Sequence, residues 1–333
     1  MKYPIGIQSF EQIIEDGYVY LDKTALVYDL VTNGKIYFLC RPRRFGKSLL
    51  VSTLKCYFEG KKHLFEGLKI MELEKEWKVS PVIRLDMSNA GASAKEINSY
   101  FNSTFRRLER KYNVETFEGD ELPTRFENIL RTASNEGENP VVILIDEYDS
   151  PLQHSWHTPE HEACTAIYRS VFALLKSCTL YERFVFITGI TKFTQISLFS
   201  VLNNLTNISF FPQYAAICGI TKQEIQDTFM PEIEAMGKKN GWTVEETFEQ
   251  LRYNYDGYHF CDENMVDVYN PFSLVLALAQ SKIGNYWASS GATSMLPKFV
   301  DNLETEIENY ERTFIIRDTL ETVSYTHLTL PTN

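Results

Sequence analysis

Arg41-Pro42-Arg43-Arg44-Phe45-Gly46-Lys47-Ser48 follows the apolar run Ile36-Tyr37-Phe38-Leu39-Cys40 and opens a stretch to Phe58. In that stretch Leu49, Leu50, Thr53, Leu54, Tyr57 and Phe58 recur at helical spacing, and Gly60 supplies a stop. The run 36–40 has the length and composition of a strand buried on both faces. A basic, glycine-containing loop between a strand and a helix is the context in which a phosphate-binding loop is credible. Backbone N–H groups around Gly46 would face phosphate oxygens, helped by the positive end of the helix dipole. Lys47 would reach the β- and γ-phosphates and the Ser48 hydroxyl would ligate Mg²⁺. Taken alone, a basic turn capping a helix would look the same, and Arg41 stands where the pattern G-x-x-x-x-G-K-[ST] has its first glycine.

A second stretch supplies the missing half. Val141-Val142-Ile143-Leu144-Ile145 is an unbroken branched run ending in Asp146-Glu147. Carboxylates at the C-terminal tip of a buried strand lie where open α/β sheets bind ligands. Asp146 would hold Mg²⁺ through water and Glu147 would polarise the attacking water, a contribution of about 10²–10⁴ in rate. Lys47-Ser48 upstream and Asp146-Glu147 downstream together read as the Walker A and Walker B elements of a P-loop NTPase. Phe184-Val185-Phe186-Ile187-Thr188-Gly189 gives a third strand, after a helix from about His161 to Ser177. Its polar tip, Thr188 and Thr191, is placed to act as a γ-phosphate sensor, although a threonine ending a strand is equally often a turn residue. Val82-Ile83-Arg84-Leu85 and Ala215-Ala216-Ile217-Cys218 complete a set of about five strands. The expectation is an α/β three-layer sandwich, with a central parallel sheet and helices on both faces.

At these residues the chain resembles the AAA-ATPase-like family of bacterial P-loop proteins. The resemblance rests on Gly17-Tyr18-Val19-Tyr20-Leu21-Asp22-Lys23-Thr24, on Arg41 to Ser48 and on Asp146-Glu147-Tyr148-Asp149-Ser150-Pro151-Leu152. It continues through Thr188-Gly189-Ile190-Thr191, Tyr255-Asp256-Gly257-Tyr258, Tyr269-Asn270-Pro271-Phe272-Ser273 and Asn285-Tyr286-Trp287. In that family the arginine-rich loop without its first glycine is the usual form. The resemblance implies ATP binding and hydrolysis, with ATP contacts from Arg41, Pro42, Arg43, Arg44, Phe45, Gly46, Lys47, Ser48 and Leu49. It also implies a PD-(D/E)XK nuclease-like domain after the ATPase, and through it a nucleic-acid partner. No Asp…Glu-x-Lys constellation follows residue 300, since the last lysine is Lys298. Direct nuclease action by this chain is therefore disfavoured. No guanine-reading N-K-x-D motif is present, which favours ATP over GTP.

Composition sets further bounds. Net charge is 33 − 44 = −11, which argues against broad sequence-independent nucleic-acid binding. Lys61, Lys62, Arg106, Arg107, Arg110 and Lys111 are the candidates for a local basic groove, or for a solvated helix face. No apolar run approaches the ~20 residues that span a bilayer, and Met1-Lys2-Tyr3-Pro4 opens no signal-peptide stretch. The six cysteines lack C-x-x-C spacing and read as reduced thiols of a cytoplasmic protein. His154, His157 and His161 have helical spacing for zinc, but Pro159 interrupts it.

The linear reading divides the chain into an N-terminal segment (1–35), a P-loop core (36–219) and a small helical lid (220–300). An acidic stretch (301–324) and a tail from Tyr325, read as non-native, complete it. Capping boxes are expected at Thr221/Glu224 and Thr243/Glu246, and Asn254-Tyr255-Asp256-Gly257-Tyr258 reads as an aromatic turn that docks the lid, in preference to one that contacts adenine. Two functions follow: an Mg²⁺-dependent ATPase, or a slow nucleotide-gated switch governing an attached effector domain.

Overall fold

Four apolar runs become the strands that build the central sheet. In the computed structural model, which describes residues 1–117, 119–190, 204–261 and 266–289, they are β1 (Ile36–Cys40), β2 (Val82–Asp86), β3 (Val141–Asp146) and β4 (Glu182–Gly189). The fifth strand is β5 (Thr206–Asn207), and the order is β2-β3-β4-β1-β5, parallel throughout. Every residue of β1 and β3 is buried, which explains why they read as continuous apolar runs rather than alternations.

Alternate residues serve opposite faces. Ile36, Phe38, Ile83, Leu85, Ile143, Ile145, Val185 and Ile187 pack against the helices Ala94–Tyr112, Leu122–Ala133 and His161–Phe172. On the other face Phe58, in the helix Lys47–Phe58, meets Phe184, which also touches Tyr37. This is the expected three-layer α/β arrangement. The helix Ala94–Tyr112 starts at a Ser93/Glu96 capping box and ends at Asn113 in the left-handed region (φ 54°).

The expected strand at 215–218 does not form. These residues are turns and bends after the 3₁₀ turn Pro212–Tyr214, and the fifth strand lies earlier, at 206–207. Ala215, Ile217 and Cys218 are buried, so the segment meets the burial criterion of a strand without pairing as one. A four-residue apolar run does not distinguish the two cases.

Contacts divide the chain into two compact units that are discontinuous in sequence. One comprises Thr24–Cys40 and Val51–Ile208, and contains the five-stranded sheet. The other comprises Met1–Lys23, Arg41–Leu50 and the described residues from Ser209 onward. The second unit is not purely helical. It carries an antiparallel sheet of β6 (Ile220–Thr221), β7 (Tyr258–His259) and β8 (Asp267–Tyr269), in the order β6-β8-β7. The helices Lys222–Asn240, Val244–Tyr255 and Pro271–Gln280 share its core with Ile225, Phe229, Leu251 and Leu274, and Tyr3, Val19 and Leu21 pack against it. Both capping boxes form, at Thr221/Glu224 and Thr243/Glu246. Glu224 also pairs with Lys23, which ties the N-terminal motif to the start of the first of these helices. Residues 290–333, where the acidic stretch and tail were placed, lie outside the described residues.

At the N-terminal end of β4, Glu182 is 3% exposed and neither carboxyl oxygen has a hydrogen-bond partner. Burial pushes its pKa up to about 8, against a smaller opposing pull from Lys35. A carboxyl raised in the folded state stabilises fully below its unfolded value, and that contribution is lost as pH rises through the folded one. Stability should therefore fall between about pH 4.5 and pH 8. Glu182→Gln should flatten this slope, matching wild type near pH 5 and exceeding it by a few kcal/mol at pH 8.5. Urea midpoints across that range test it, and equal slopes for both proteins would remove the assignment.

Candidate functional site

The C-terminal edge of the sheet carries its polar groups side by side. Asp86 ends β2 and is aligned with Asp146, which ends β3; Thr188 lies near the end of β4. Asp146 is 2% exposed and both its oxygens are engaged. Thr188 Oγ1, fully buried, donates to Oδ1 at 2.7 Å, and an Arg84 terminal nitrogen donates to Oδ2 at 3.2 Å. The same Thr188 hydroxyl accepts a long bond from Glu147 N–H at 3.4 Å. Thr188 thus bonds both members of the Asp-Glu pair; Thr191, the other residue of the expected polar tip, lies outside the described residues.

Glu147 has φ 50°, the left-handed region, which costs a non-glycine residue about 1–3 kcal/mol. Hydrogen bonds from the neighbouring strand hold the turn in place. Tyr148 N–H donates to Thr188 C=O at 2.9 Å, and Ile190 N–H donates to Asp149 Oδ2 at 2.9 Å. Gln153 Nε2 donates to that same oxygen at 2.7 Å. The Tyr148 ring stands edge-on to Phe38 of β1. It passes so close to Gly189 that a Cβ there would lie 2.5 Å from Tyr148 Cε1. The 146–152 and 188–190 motifs are therefore one interlocked structure, and the sheet requires a glycine at 189.

The loop 41–49 continues β1 past its C-terminal end and groups by contact with the second unit. Arg44 (φ 68°) and Gly46 (φ 90°) turn its backbone through the left-handed region, a conformation that recurs in anion-binding loops. Lys47 Nζ donates to the carbonyls of Arg41 at 2.9 Å and Pro42 at 3.0 Å, which folds the ammonium into its own loop. Ser48 and Leu49 are half-buried and Pro42 is buried.

Arg41 behaves unlike a phosphate contact. It is 1% exposed, donates to Ser209 C=O at 2.6 Å and Tyr214 C=O at 3.1 Å, and stacks on Phe260 at 3.9 Å. Phe45 packs edge-on against Tyr258 and Phe260. The Arg44 guanidinium lies over Phe272, and Trp287 Nε1 donates to Arg43 C=O at 3.3 Å. Burial pushes the Tyr258 hydroxyl up to about 12, so it stays neutral in this packing. The aromatic motifs at 255–258, 269–273 and 285–287 thus each supply a ring to the loop. Sequence reasoning had tied only the first to docking, and missed Arg84 and Asp149 as members of the site.

Oxygen donors of this kind suit a hard divalent cation, since Mg²⁺ binds through one or two protein oxygens together with phosphates and water. Among the described residues no three His, Cys, Asp or Glu side chains are grouped to hold a metal ion. His161 shares a hydrogen bond with Ser155 and stands edge-on to Trp156, and burial pushes its pKa down. Of the six basic residues, Arg106, Arg107, Arg110 and Lys111 are exposed on the helix Ala94–Tyr112, whereas Lys61 pairs with Glu59. No helix among the described residues is long and apolar enough to cross a membrane.

The AAA-ATPase-like family model, described as Predicted AAA-ATPase, matches residues 4–199. The chain is 33% identical over 309 residues to an uncharacterized protein in the vnfD 5′ region of Azotobacter chroococcum mcd 1. That match covers 92% of this chain and 56% of the relative, so the chain spans little more than half the relative's length. Among solved structures it has distant likeness to Cdc6p from Pyrobaculum aerophilum (14% identity, TM-score 0.31, 65% of this chain and 47% of that one). It is similarly distant from the Aeropyrum pernix ORC2 protein in ADPNP–ADP complexes (11% identity, TM-score 0.32, 88% of this chain and 74% of that one).

Proposed function

The chain belongs to the AAA-ATPase-like family, and on that premise we propose that it binds Mg·ATP and hydrolyses it to ADP and phosphate. The observation that carries this reading is the buried Asp146 carboxylate, at the sheet edge from which the 41–48 loop departs. The loop's N–H groups and Lys47 would take the triphosphate, with Lys47 exchanging two neutral carbonyls for phosphate oxygens. Arg43 and Arg44 would balance phosphate charge from the same loop. Ser48 and Asp146 would hold Mg²⁺, which when bound neutralises charge on the phosphates. Thr188 orients Asp146, and Glu147 accepts a proton from the attacking water.

Glu147→Gln is the informative variant. It should keep Mg·ATP affinity within about 3-fold and lower phosphate release by about 10²-fold or more. Calorimetry and a steady-state phosphate assay measure the two quantities separately. Equal turnover by both proteins would remove Glu147 from its role.

The second reading, a slow switch for an effector beyond this chain, draws support from the rings that grip the loop. A loop tied to Tyr258, Phe260, Phe272 and Trp287 couples phosphate binding to the element carrying them. Here ATP would order residues 220–280, and turnover would stay low until a partner acts. Phosphate release with and without DNA distinguishes a nucleic-acid-stimulated ATPase from a switch.

A further inference from the structure

Among the described residues of the sheet-bearing unit, two internal arginine–carboxylate pairs differ in kind. Arg125 grips Glu109 with two parallel bonds, Nε at 2.7 Å and a terminal nitrogen at 2.9 Å, and its remaining terminal nitrogen bonds Asn102. Such a fork is saturated and fixed. Arg84 touches Asp146 through one nitrogen at 3.2 Å, and its Nε is buried without a hydrogen-bond partner. The Arg84 side chain is 32% exposed whereas Asp146 is 2% exposed, so the cation can withdraw toward solvent while the anion cannot.

Asp146 has no other ionic partner among the described residues. Beside it in register stands Asp86, whose Oδ1 takes hydrogen bonds from Ser88 N–H and Oγ. Without Arg84 two aligned strands would end in neighbouring carboxylates with no cation on Asp146. A buried carboxylate left unpaired is costly.

We propose that Arg84 is a positioning residue that stands in for the divalent cation: it neutralises Asp146 in the metal-free protein and is displaced when the metal arrives. The proposal rests on the Mg·ATP reading for its biological meaning, yet the metal equilibrium can be measured without nucleotide. Loss of a monovalent competitor hydrogen-bonded to Oδ2 frees one carboxylate oxygen and leaves an acidic pair.

The test is a titration of Mn²⁺ into the full chain without nucleotide, followed by the loss of the free-ion spin-resonance signal. Arg84→Met should bind Mn²⁺ at least about 10-fold more tightly than wild type. Asp146→Asn in the Arg84→Met background should abolish the gain. Arg84→Met should also melt lower than wild type in chelator, and Mn²⁺ should narrow that gap. Arg84→Lys, which keeps the charge, should resemble wild type and supplies the comparison if Arg84→Met does not fold. Equal Mn²⁺ affinity with and without the guanidinium, a melting gap indifferent to metal, or a gain that survives Asp146→Asn would each overturn the proposal. If Arg84→Met does not fold, a Lys variant binding Mn²⁺ at least ~10-fold more tightly than wild type would also overturn it. Calorimetry of wild type with Mg·ATP reports separately on the ATPase reading, because it can fail while the Mn²⁺ comparison holds, and the reverse.

Discussion

Lys47→Ala is expected to weaken Mg·ATP binding by about 100-fold or more while shifting the melting temperature only modestly. Lys47 is buried to 5% exposure, and its ammonium is held by two carbonyls of its own loop. Those bonds are to neutral acceptors. A triphosphate offers charged ones, and each charge-assisted hydrogen bond contributes about 1.5–3 kcal/mol. Loss of two such bonds corresponds to roughly 10²–10⁴ in affinity. The cost to folding is smaller, because the carbonyls of Arg41 and Pro42 lose a donor at a loop that water can reach through half-exposed Arg43 and exposed Arg44. Lys47→Arg should not rescue, since a planar fork cannot replace a compact ammonium between two carbonyls. An alanine variant that binds Mg·ATP within about 3-fold of wild type would remove the loop from the proposed site.

The legible parts of this protein were those in which one physical requirement dominates. Strands buried on both faces must be apolar along their whole length, so 36–40 and 141–145 could be read directly, and 82–85 and 184–189 from the apolar residues that make up most of each. The two capping boxes were legible because the Thr-x-x-Glu pattern satisfies helix-end donors locally. Segment 215–218 misled because burial alone does not dictate pairing, and the short strand at 206–207 has only two residues with which to announce itself. Arg84 was visible as a charge inside an apolar run, yet its partner is 62 residues away and no local rule joins them. The aromatic motifs at 272 and 287 carried no readable duty, and the one at 258 only a docking duty without a partner, since their partners are loop residues more than 200 positions earlier. Asp149 falls in the same class: its bond to Ile190 N–H exists only once β3 and β4 are paired.

Arg41 poses the sharpest contrast between pattern and physics. The strict phosphate-loop pattern has glycine at this position, so Arg41→Gly creates a textually better motif. We expect it to make a much worse protein, destabilised by about 3–6 kcal/mol, with ATP affinity falling alongside. The guanidinium makes two bonds to backbone carbonyls, at 2.6 Å and 3.1 Å, and lies 3.9 Å from the centre of the Phe260 ring. Hydrogen bonds from a charged group contribute about 1.5–3 kcal/mol each, and a desolvated cation–π contact about 2 kcal/mol. These are not additive, because one rigid group makes all of them. Glycine would also leave a side-chain-sized void between the loop and residues 209–214 and 260, and would raise the entropy of the unfolded chain. Arg41→Lys should recover little, since one ammonium cannot span both carbonyls while stacking on a ring. Urea unfolding and Mg·ATP calorimetry on the two variants decide the matter. If Arg41→Gly keeps the wild-type midpoint and binds ATP more tightly, the guanidinium is not what fastens the loop, and the glycine-first pattern describes this site after all.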